Sequence, residues 1–239
     1  MKNYKSIHTL CLKLKNDEKI KGAIRFFKTG KGEYGEGDLF FGLTVPESRK
    51  IAKDFCELEL SEIKKLLKSK IHEERLIGLF ILIIQFRKAI KANDANLIEK
   101  LYKSYYSLRS GVNNWDLVDQ SAPYISGYYY FHFSKSDLLK LVVSRNLWER
   151  RIAILSIFYF IKQNELKYSL KIIEKRLYDS EDLMHKACGW MLRELGKKDK
   201  TQLDNFLIKH ADKMPRTSLR YAIEKHSDKE RKRFMEMKK

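Results

Sequence analysis

Apolar residues at helical spacing are the feature that most constrains this chain. From Ser61 onward they recur three and four positions apart, which puts them on one face of a helix. The pattern runs through Ile63, Leu66, Leu67, Leu76, Leu79, Phe80, Ile83 and Ile84 and resumes over 97–108 and 138–143. Short breaks separate segments of roughly 10–18 residues, and no alternating apolar–polar run indicates a strand. The sequence therefore predicts an all-α protein.

A weak internal repeat orders these helices. Four segments share a basic residue followed by small and apolar ones, and the basic residues are Arg75, Arg151, Lys186 and Arg220. These residues lie 76, 35 and 34 positions apart, and the segment that begins at Asn113 fills the long gap. Paired helices at such a period predict an α-α superhelix, a curved solenoid of HEAT-like repeats. The alternative is a bundle without repeats, because amphipathic helices always show some periodicity.

The chain is also strongly basic. It carries 49 Lys and Arg against 31 Asp and Glu, a net charge of +18, and the excess is spread along its 239 residues. This predicts a polyanionic partner, either nucleic acid or an anionic membrane surface. With 44% hydrophobic residues the chain is not a disordered basic tail, and we expect a single domain over residues 1–239. On a curved solenoid the charge predicts a basic concave face that fits around a duplex.

Hydropathy and cysteine usage disfavour other classes of protein. The longest apolar runs, such as 76–84, are about half of the roughly 20 residues that a membrane-spanning helix needs, and the N-terminus shows no secretory signal. Cys11, Cys56 and Cys188 are far apart and form neither a zinc pattern nor a disulfide framework. No pair of histidines has metal-ligand spacing. We therefore expect a cytoplasmic protein without a metal or a cofactor.

Glycine is concentrated near the N-terminus, where six of the 11 glycines lie between Gly22 and Gly42. The stretch lacks the GK[ST] ending and the preceding strand of a phosphate-binding loop. We expect a turn-rich loop, followed by a helix that begins near Pro46.

The three tryptophans mark candidate site residues. Trp115, Trp148 and Trp190 lie 33 and 42 positions apart, and we expect them in the same part of their repeats. Asp119 follows Trp115 by four and shares its helix face, and an aromatic face beside a carboxylate can stabilise positive charge. Arg151 follows Trp148 by three and can bind a phosphate or hold a carboxylate. The alternatives are structural: tryptophans that plug helix interfaces, and ion pairs for the acid and the arginine.

Three stretches together resemble the AlkD-type DNA alkylation repair family, alkylpurine DNA glycosylases built from HEAT-like repeats. They are FFKTGKGEYGEGDLFFGLTVPESRKIAK, NNWDLVDQSAPYISG, and LWERRIAIL with KACGWMLREL. The resemblance covers about Arg25 to Arg220. It implies a base excision repair enzyme that hydrolyses the N-glycosidic bond of positively charged N3- or N7-alkylated purines in double-stranded DNA, without flipping the base. We expect a monomer associated with the nucleoid, and no membrane partner.

The resemblance also assigns roles to individual residues. It implies that Asp119 is the catalytic aspartate, which stabilises the oxocarbenium-like sugar and positions water, and that Trp115 and Arg151 complete the catalytic set. The family's first-helix aromatic, usually Tyr, falls at Phe26 or Phe27, where the hydroxyl is missing. The residues expected to contact DNA are Trp190, Phe26, Phe27, Arg150 and Trp148.

Two other functions are compatible with a basic helical solenoid. One is a non-catalytic HEAT-like protein that binds branched or damaged DNA, and the other is a HEAT scaffold for an acidic protein partner. Neither needs a carboxylate beside a tryptophan, so Asp119 and Trp115 favour the enzyme.

Overall fold

The structure is a computed structural model that describes residues 2–237. Over these residues it has fifteen α-helices, one short 3₁₀ helix and no strand beyond an isolated parallel bridge between Leu39 and Ile71. The all-α prediction is confirmed, and the helices are consistent with a HEAT-like α-α superhelix. No helix within the described range is long and apolar enough to cross a membrane.

The backbone divides into two compact units, Met1–Ser121 and Ala122–Lys239. The first contains α1 (Tyr4–Lys13), α2 (Asp17–Phe26), α3 (Val45–Asp54), α4 (Leu60–Leu67), α5 (His72–Lys91), α6 (Ala95–Ser107), the 3₁₀ turn Arg109–Gly111 and α7 (Trp115–Ser121). The second contains α8 (Ser126–His132), α9 (Ser136–Leu141), α10 (Leu147–Lys162), α11 (Leu166–Glu174), α12 (Asp182–Gly196), α13 (Lys200–His210), α14 (Arg216–Ala222) and α15 (Asp228–Glu236). The single domain over 1–239 stays a prediction, as do the curvature and the basic concave face.

Helix α5 is the centre of the first unit. Residues 72–83 of this 20-residue helix are buried around the whole circumference, with Ile77, Leu79, Ile81 and Leu82 fully inaccessible. Helices α3, α4, α6 and α7 all pack against it. A helix that is apolar on every side belongs in the interior of a domain, so α5 is the framework on which the other helices of this unit are placed.

The first turn of α5 is polar and nevertheless buried. His72, Glu73, Glu74 and Arg75 are each less than 5% exposed. The carboxylate of Glu74 accepts hydrogen bonds from two side chains of α1, Tyr4 Oη at 3.2 Å and His8 Nδ1 at 2.6 Å. A buried polar side chain is tolerated when it is hydrogen-bonded, and this one attaches α1 to the centre of the unit.

The glycine-rich segment is held by the same turn. Glu73 accepts hydrogen bonds from the backbone N–H groups of Phe41 (3.1 Å), Gly42 (2.7 Å) and Leu43 (3.1 Å). Gly42 has φ +78°, and a Cβ there would collide with the carbonyl oxygen of Asn16. As predicted, the segment is turn-rich, and the next helix, α3, begins at Val45 with Pro46 in its first turn.

The predicted repeat corresponds to equivalent helix positions. Arg151, Lys186 and Arg220 are each the fifth residue of their helix, in α10, α12 and α14, and Arg75 is the fourth residue of α5. In the second unit α10 packs on α12 and α12 packs on α14. The spacing of the basic residues therefore located the repeating helices correctly.

Two glycines allow neighbouring helices of the second unit to approach closely. A Cβ on Gly127 of α8 would lie 2.5 Å from the carbonyl oxygen of Ser156 in α10. A Cβ on Gly189 of α12 would lie 2.5 Å from the carbonyl oxygen of Ser218 and equally close to Cβ of Tyr221, both in α14. Backbone cannot move aside as a flexible side chain can, so only glycine fits at these two contacts.

We expect Gly189→Ala to destabilise the protein by about 1–3 kcal/mol, because the added methyl group overpacks the contact between α12 and α14. The control is Gly22→Ala in α2, where nothing lies within 4 Å of an added Cβ. That change should stabilise by about 0.5–1 kcal/mol, the helix preference for alanine over glycine. Denaturant unfolding of both variants measures the two effects. If Gly189→Ala were as stable as Gly22→Ala, the close contact between α12 and α14 would be contradicted.

Candidate functional site

Helix α7 carries the two residues that the sequence singled out first. Trp115 is its first residue and Asp119 its fifth, so the two side chains share one face of the helix. Both are partly buried, whereas Leu117 and Val118 are completely buried. Asn114 stabilises the start of the helix, because its Oδ1 accepts the backbone N–H of Trp115 at 2.8 Å. Leu117 and Val118 therefore belong to the core of the first unit.

An aromatic cluster surrounds Trp115. Phe26 lies edge-on to it with ring centroids 5.5 Å apart, and Phe27 lies 5.7 Å away at 31°. Phe26 is 62% exposed and Phe27 is partly buried. The structure thus brings both candidate phenylalanines to Trp115. They lie at the end of α2, the second helix, rather than on the first helix, where the resemblance places the family's aromatic residue.

Phe27 connects the exposed ring of Phe26 to a buried layer beneath it. Its ring stacks on Phe40 at 5.5 Å and lies 4.6 Å from the imidazole of His72, and Phe40 stacks on the same imidazole at 5.2 Å. The aromatic surface at α7 therefore rests on a buried titratable side chain.

That imidazole belongs to a buried charge network. His72 Nε2 lies 2.8 Å from Asp116 Oδ2, and Nδ1 lies 3.1 Å from Asp38 Oδ2. Arg75 Nη2 donates to Asp38 Oδ1 at 2.7 Å and Nη1 to the carbonyl oxygen of Ser69 at 2.9 Å. All four charged side chains are at least nine-tenths buried.

The network shifts the pKa values of two of its members. Burial opposes the charge on His72, but hydrogen bonds to Asp116 and Asp38 outweigh it and raise the pKa of His72 to about 9. Burial alone would raise the pKa of Asp38, but the hydrogen bond from His72 and the charge of Arg75 lower it below its ordinary value. We conclude that both groups are charged at neutral pH.

Sequence reasoning did not find this network. The sequence analysis gave Asp116 and His72 no role, and it identified Arg75 only as a repeat position. The available signal was the run HEER immediately before the apolar segment that begins at Leu76. Consecutive charged residues at the start of a central helix cannot all reach solvent, so some of them must be paired in the interior.

One exposed cation was also missed. Arg49 of α3 donates a hydrogen bond from Nη2 to Oε1 of Gln120, the residue that follows Asp119. Its guanidinium carbon lies 4.2 Å from the ring centroid of Phe80, and stacking on an aromatic face keeps an arginine in place. The structure thus fixes a positive charge beside the C-terminal half of α7.

In the second unit, Arg150 and Arg151 are both buried in α10. Arg150 is 7% exposed; its Nη2 donates to Oδ1 of Asp179 at 3.1 Å and its Nη1 to the carbonyl oxygen of Arg145 at 2.8 Å. Arg151 is 4% exposed, and its Nη1 donates to the carbonyl oxygen of Leu183 in α12. The side chain of Arg150, expected to contact DNA, therefore has a buried ion pair instead of a solvent-facing position.

The two tryptophans of the second unit are partly buried and do not occupy equivalent positions. Trp148 is the second residue of α10, and Trp190 is the ninth residue of α12. Trp190 donates its Nε1–H to Glu194 at 3.2 Å and lies 6.3 Å from Phe158. The expectation that all three tryptophans share one part of their repeats is wrong, because their spacing does not show where each helix begins.

Known proteins similar to this chain are found by a family model and among the solved structures. The family model described as DNA alkylation repair enzyme matches residues 10–226. A solved structure described as a predicted DNA alkylation repair enzyme from Enterococcus faecalis superposes with a TM-score of 0.70 at 15% identity, covering 90% of this chain and 97% of that one. At this identity the superposition supports the fold alone. No curated protein matches the chain.

Proposed function

Because the chain belongs to the family of DNA alkylation repair enzymes, we propose that it is a DNA N-glycosylase of base excision repair. Its substrate is double-stranded DNA that contains positively charged N3- or N7-alkylated purines, and it hydrolyses their N-glycosidic bond. The observation that carries this proposal is the arrangement on α7, where the partly buried Asp119 shares a face with Trp115 and Trp115 contacts the exposed Phe26.

The chemistry follows from the charge of the substrate. An alkylated purine is a cation, so it leaves with the electrons of the glycosidic bond and needs no protonation by the enzyme. The sugar that remains is oxocarbenium-like and electron-poor at C1′. In the proposed mechanism the carboxylate of Asp119 stabilises this charge and orients the water whose oxygen bonds to C1′.

The aromatic side chains add to this stabilisation. The faces of Trp115 and Phe26 carry negative electrostatic potential and attract a cation that approaches them. Phe26 is the more exposed of the two phenylalanines, which favours it for contact with the sugar or the charged base. The missing hydroxyl does not affect this role, because the interaction uses the face of the ring.

We propose that the protein acts without drawing the base into a deep pocket. A cavity of about 580 Å³ in the first unit is lined by Asp38, Arg75 and Asn113, among others, but not by Trp115 or Asp119. The residues assigned to the reaction therefore lie outside this cavity, which supports contact with the nucleotide at the duplex surface.

DNA binding is assigned to the basic surface and to aromatic residues of both units. The net charge of +18 provides the electrostatic attraction to phosphates. Trp148 and Trp190 are partly exposed and are the proposed contacts in the second unit. The proposal gives Arg150 a structural role, because its charge is paired with that of Asp179 in the interior.

The adjacent arginines of α10 give a matched comparison. We expect Arg150→Ala to destabilise the fold by about 3 kcal/mol, because it leaves Asp179 as a buried charge without this partner, and to leave DNA affinity of the folded protein unchanged. In this proposal Arg151 binds a phosphate or holds the catalytic carboxylate, so Arg151→Ala should lower DNA affinity and the rate of base release in addition to stability. Both variants are assayed well below their unfolding temperatures. If Arg151→Ala loses only stability, then Arg151 is structural as well.

The experiment that tests the proposed function uses a duplex oligonucleotide with one 7-methylguanine. Strand cleavage at the resulting abasic site measures base release, and binding is measured in parallel at low and physiological salt. We expect release, and an affinity that falls steeply with salt. Salt-dependent binding without release would indicate a non-catalytic DNA binder. The absence of salt-dependent binding would indicate a scaffold for a protein partner.

A further inference from the structure

The buried network beneath Trp115 connects the candidate site to the rest of the first unit. Asp116 directly follows Trp115 in the first turn of α7, and its Oδ2 is bound to His72. Its Oδ1 is buried and accepts no hydrogen bond within the described part of the chain. The interaction with His72 is thus the hydrogen bond that holds this carboxylate, and with it the start of α7.

The geometry fits a doubly protonated imidazole. Each ring nitrogen of His72 faces a carboxylate oxygen, at 2.8 Å for Asp116 and 3.1 Å for Asp38. A neutral imidazole has one N–H and can donate to only one of them, whereas an imidazolium donates to both. With Arg75 on the far side of Asp38, the imidazolium also balances two buried negative charges with two positive ones. Removing that proton would leave a buried net charge, which is costly.

The imidazole contacts the aromatic cluster as well as the helix. Phe27 lies 4.6 Å from the ring of His72 and 5.7 Å from that of Trp115. Helix α7 has only seven residues, and a helix this short has little stability of its own. Its position must therefore come from tertiary contacts, and His72 supplies two of them, one through Asp116 and one through Phe27.

From these contacts we propose that protonated His72 is a positioning residue, which fixes α7 through Asp116 and thereby sets the placement of Trp115 and Asp119 for base excision. This inference rests on the proposed function for its catalytic part. The structural part, the clamp of His72 on α7, does not depend on it.

The clamp has a defined pH dependence. The charged groups that face His72 are Asp116 from α7, Asp38 from the glycine-rich segment and Arg75 from α5 itself. The pKa of His72 is about 9 in the folded protein against 6.5 ordinarily. Because the pKa is raised on folding, the stabilisation of the folded state by protonated His72 is complete below about pH 6.5. This stabilisation is lost as the pH rises through 9. Over the same pH range α7 should be held less firmly, because His72 loses a proton that it donates to a carboxylate.

The first measurement uses the wild-type protein alone. The histidine ring signals of His72 in NMR spectra should titrate near pH 9. The indole N–H signal of Trp115, one of three tryptophans, should shift with the same midpoint. A His72 that titrates near 6.5, or a Trp115 signal that does not follow it, would overturn the clamp. This result is independent of catalysis and of whether any variant folds.

The second measurement compares His72→Gln with His226→Gln. His226 is also a buried histidine, with Nε2 2.6 Å from Asp204 Oδ1, and it lies in the second unit, outside the proposed site. We expect His72→Gln to slow single-turnover excision of 7-methylguanine by up to roughly 100-fold, the penalty for misplacing a reacting group by about 1 Å, with duplex affinity retained. The wild-type rate should decline as the pH rises through 9, and this decline should be absent in His72→Gln. His226→Gln should keep the wild-type rate and profile.

The outcomes separate the two ideas. If His72→Gln excises at the wild-type rate with an unchanged pH profile, the positioning role is wrong. If the wild-type protein releases no base at all, the proposed function is wrong, and the clamp is then decided by the NMR titration of His72 and Trp115.

Discussion

Asp119→Asn is expected to reduce excision of 7-methylguanine by at least about 100- to 1000-fold, the usual effect of removing one electrostatic contact to a developing charge. The amide keeps the shape and the polarity of the side chain but loses the negative charge that opposes the oxocarbenium-like sugar. Because Asp119 is partly exposed on a helix whose core contacts are Leu117 and Val118, folding should be preserved. Affinity for duplex DNA should stay the same or rise, since one negative charge is removed.

Single-turnover rates at saturating protein measure this effect without interference from product release. The matched control is Asp137→Asn in α9, the same chemical change at an acid that is paired with Lys140. This variant should excise at the wild-type rate. An Asp119→Asn protein that also excises at the wild-type rate would remove Asp119 from the mechanism.

Glu73→Ala is expected to have the largest effect on stability, a loss of about 4 kcal/mol or more. The Glu73 carboxylate accepts hydrogen bonds from the three backbone N–H groups of residues 41–43, and the residue is 4% exposed. Each buried donor left without an acceptor costs about 1–3 kcal/mol. Glu73→Gln keeps one acceptor oxygen, so its free energy of unfolding should lie between those of Glu73→Ala and the wild type. Denaturant unfolding, followed by circular dichroism, gives the free energies.

The control for this prediction is Glu57→Ala, which removes an exposed glutamate paired with Lys88. Exposed ion pairs contribute little to stability, so its unfolding transition should coincide with that of the wild type. If Glu73→Ala also unfolded at the wild-type denaturant concentration, the buried first turn of α5 would not anchor the glycine-rich segment.

Local patterns were enough to predict the helical class and part of the site. The repeated basic residues at Arg151, Lys186 and Arg220 marked equivalent helix positions because a repeat preserves its own register. The shared face of Trp115 and Asp119 followed from their spacing on one helix. Both inferences depend on residues that lie close together in the chain, and helical geometry alone relates them.

The partners of α7 could not be obtained in this way. His72 and Asp116 are 44 positions apart in the sequence, and His72 and Asp38 are 34 apart. The run HEER indicates locally that some of its charged residues are paired in the interior, but nothing local identifies Asp38 and Asp116 as the partners of His72. The packing of α5 against α7 decides it. The same applies to Arg150. Its neighbours in the sequence predicted a DNA contact, but the tertiary fold pairs it with Asp179.

The most direct test of the central claim, that this chain excises cationic purines, compares two lesions in one duplex sequence. One duplex carries 7-methylguanine and the other carries uracil, a neutral base, and the released base is identified by mass spectrometry. The mechanism predicts release of 7-methylguanine and no release of uracil, because Asp119 stabilises the sugar but no group is assigned to protonate a neutral leaving base. Duplex binding without release of 7-methylguanine, or equal release of both bases, would contradict it.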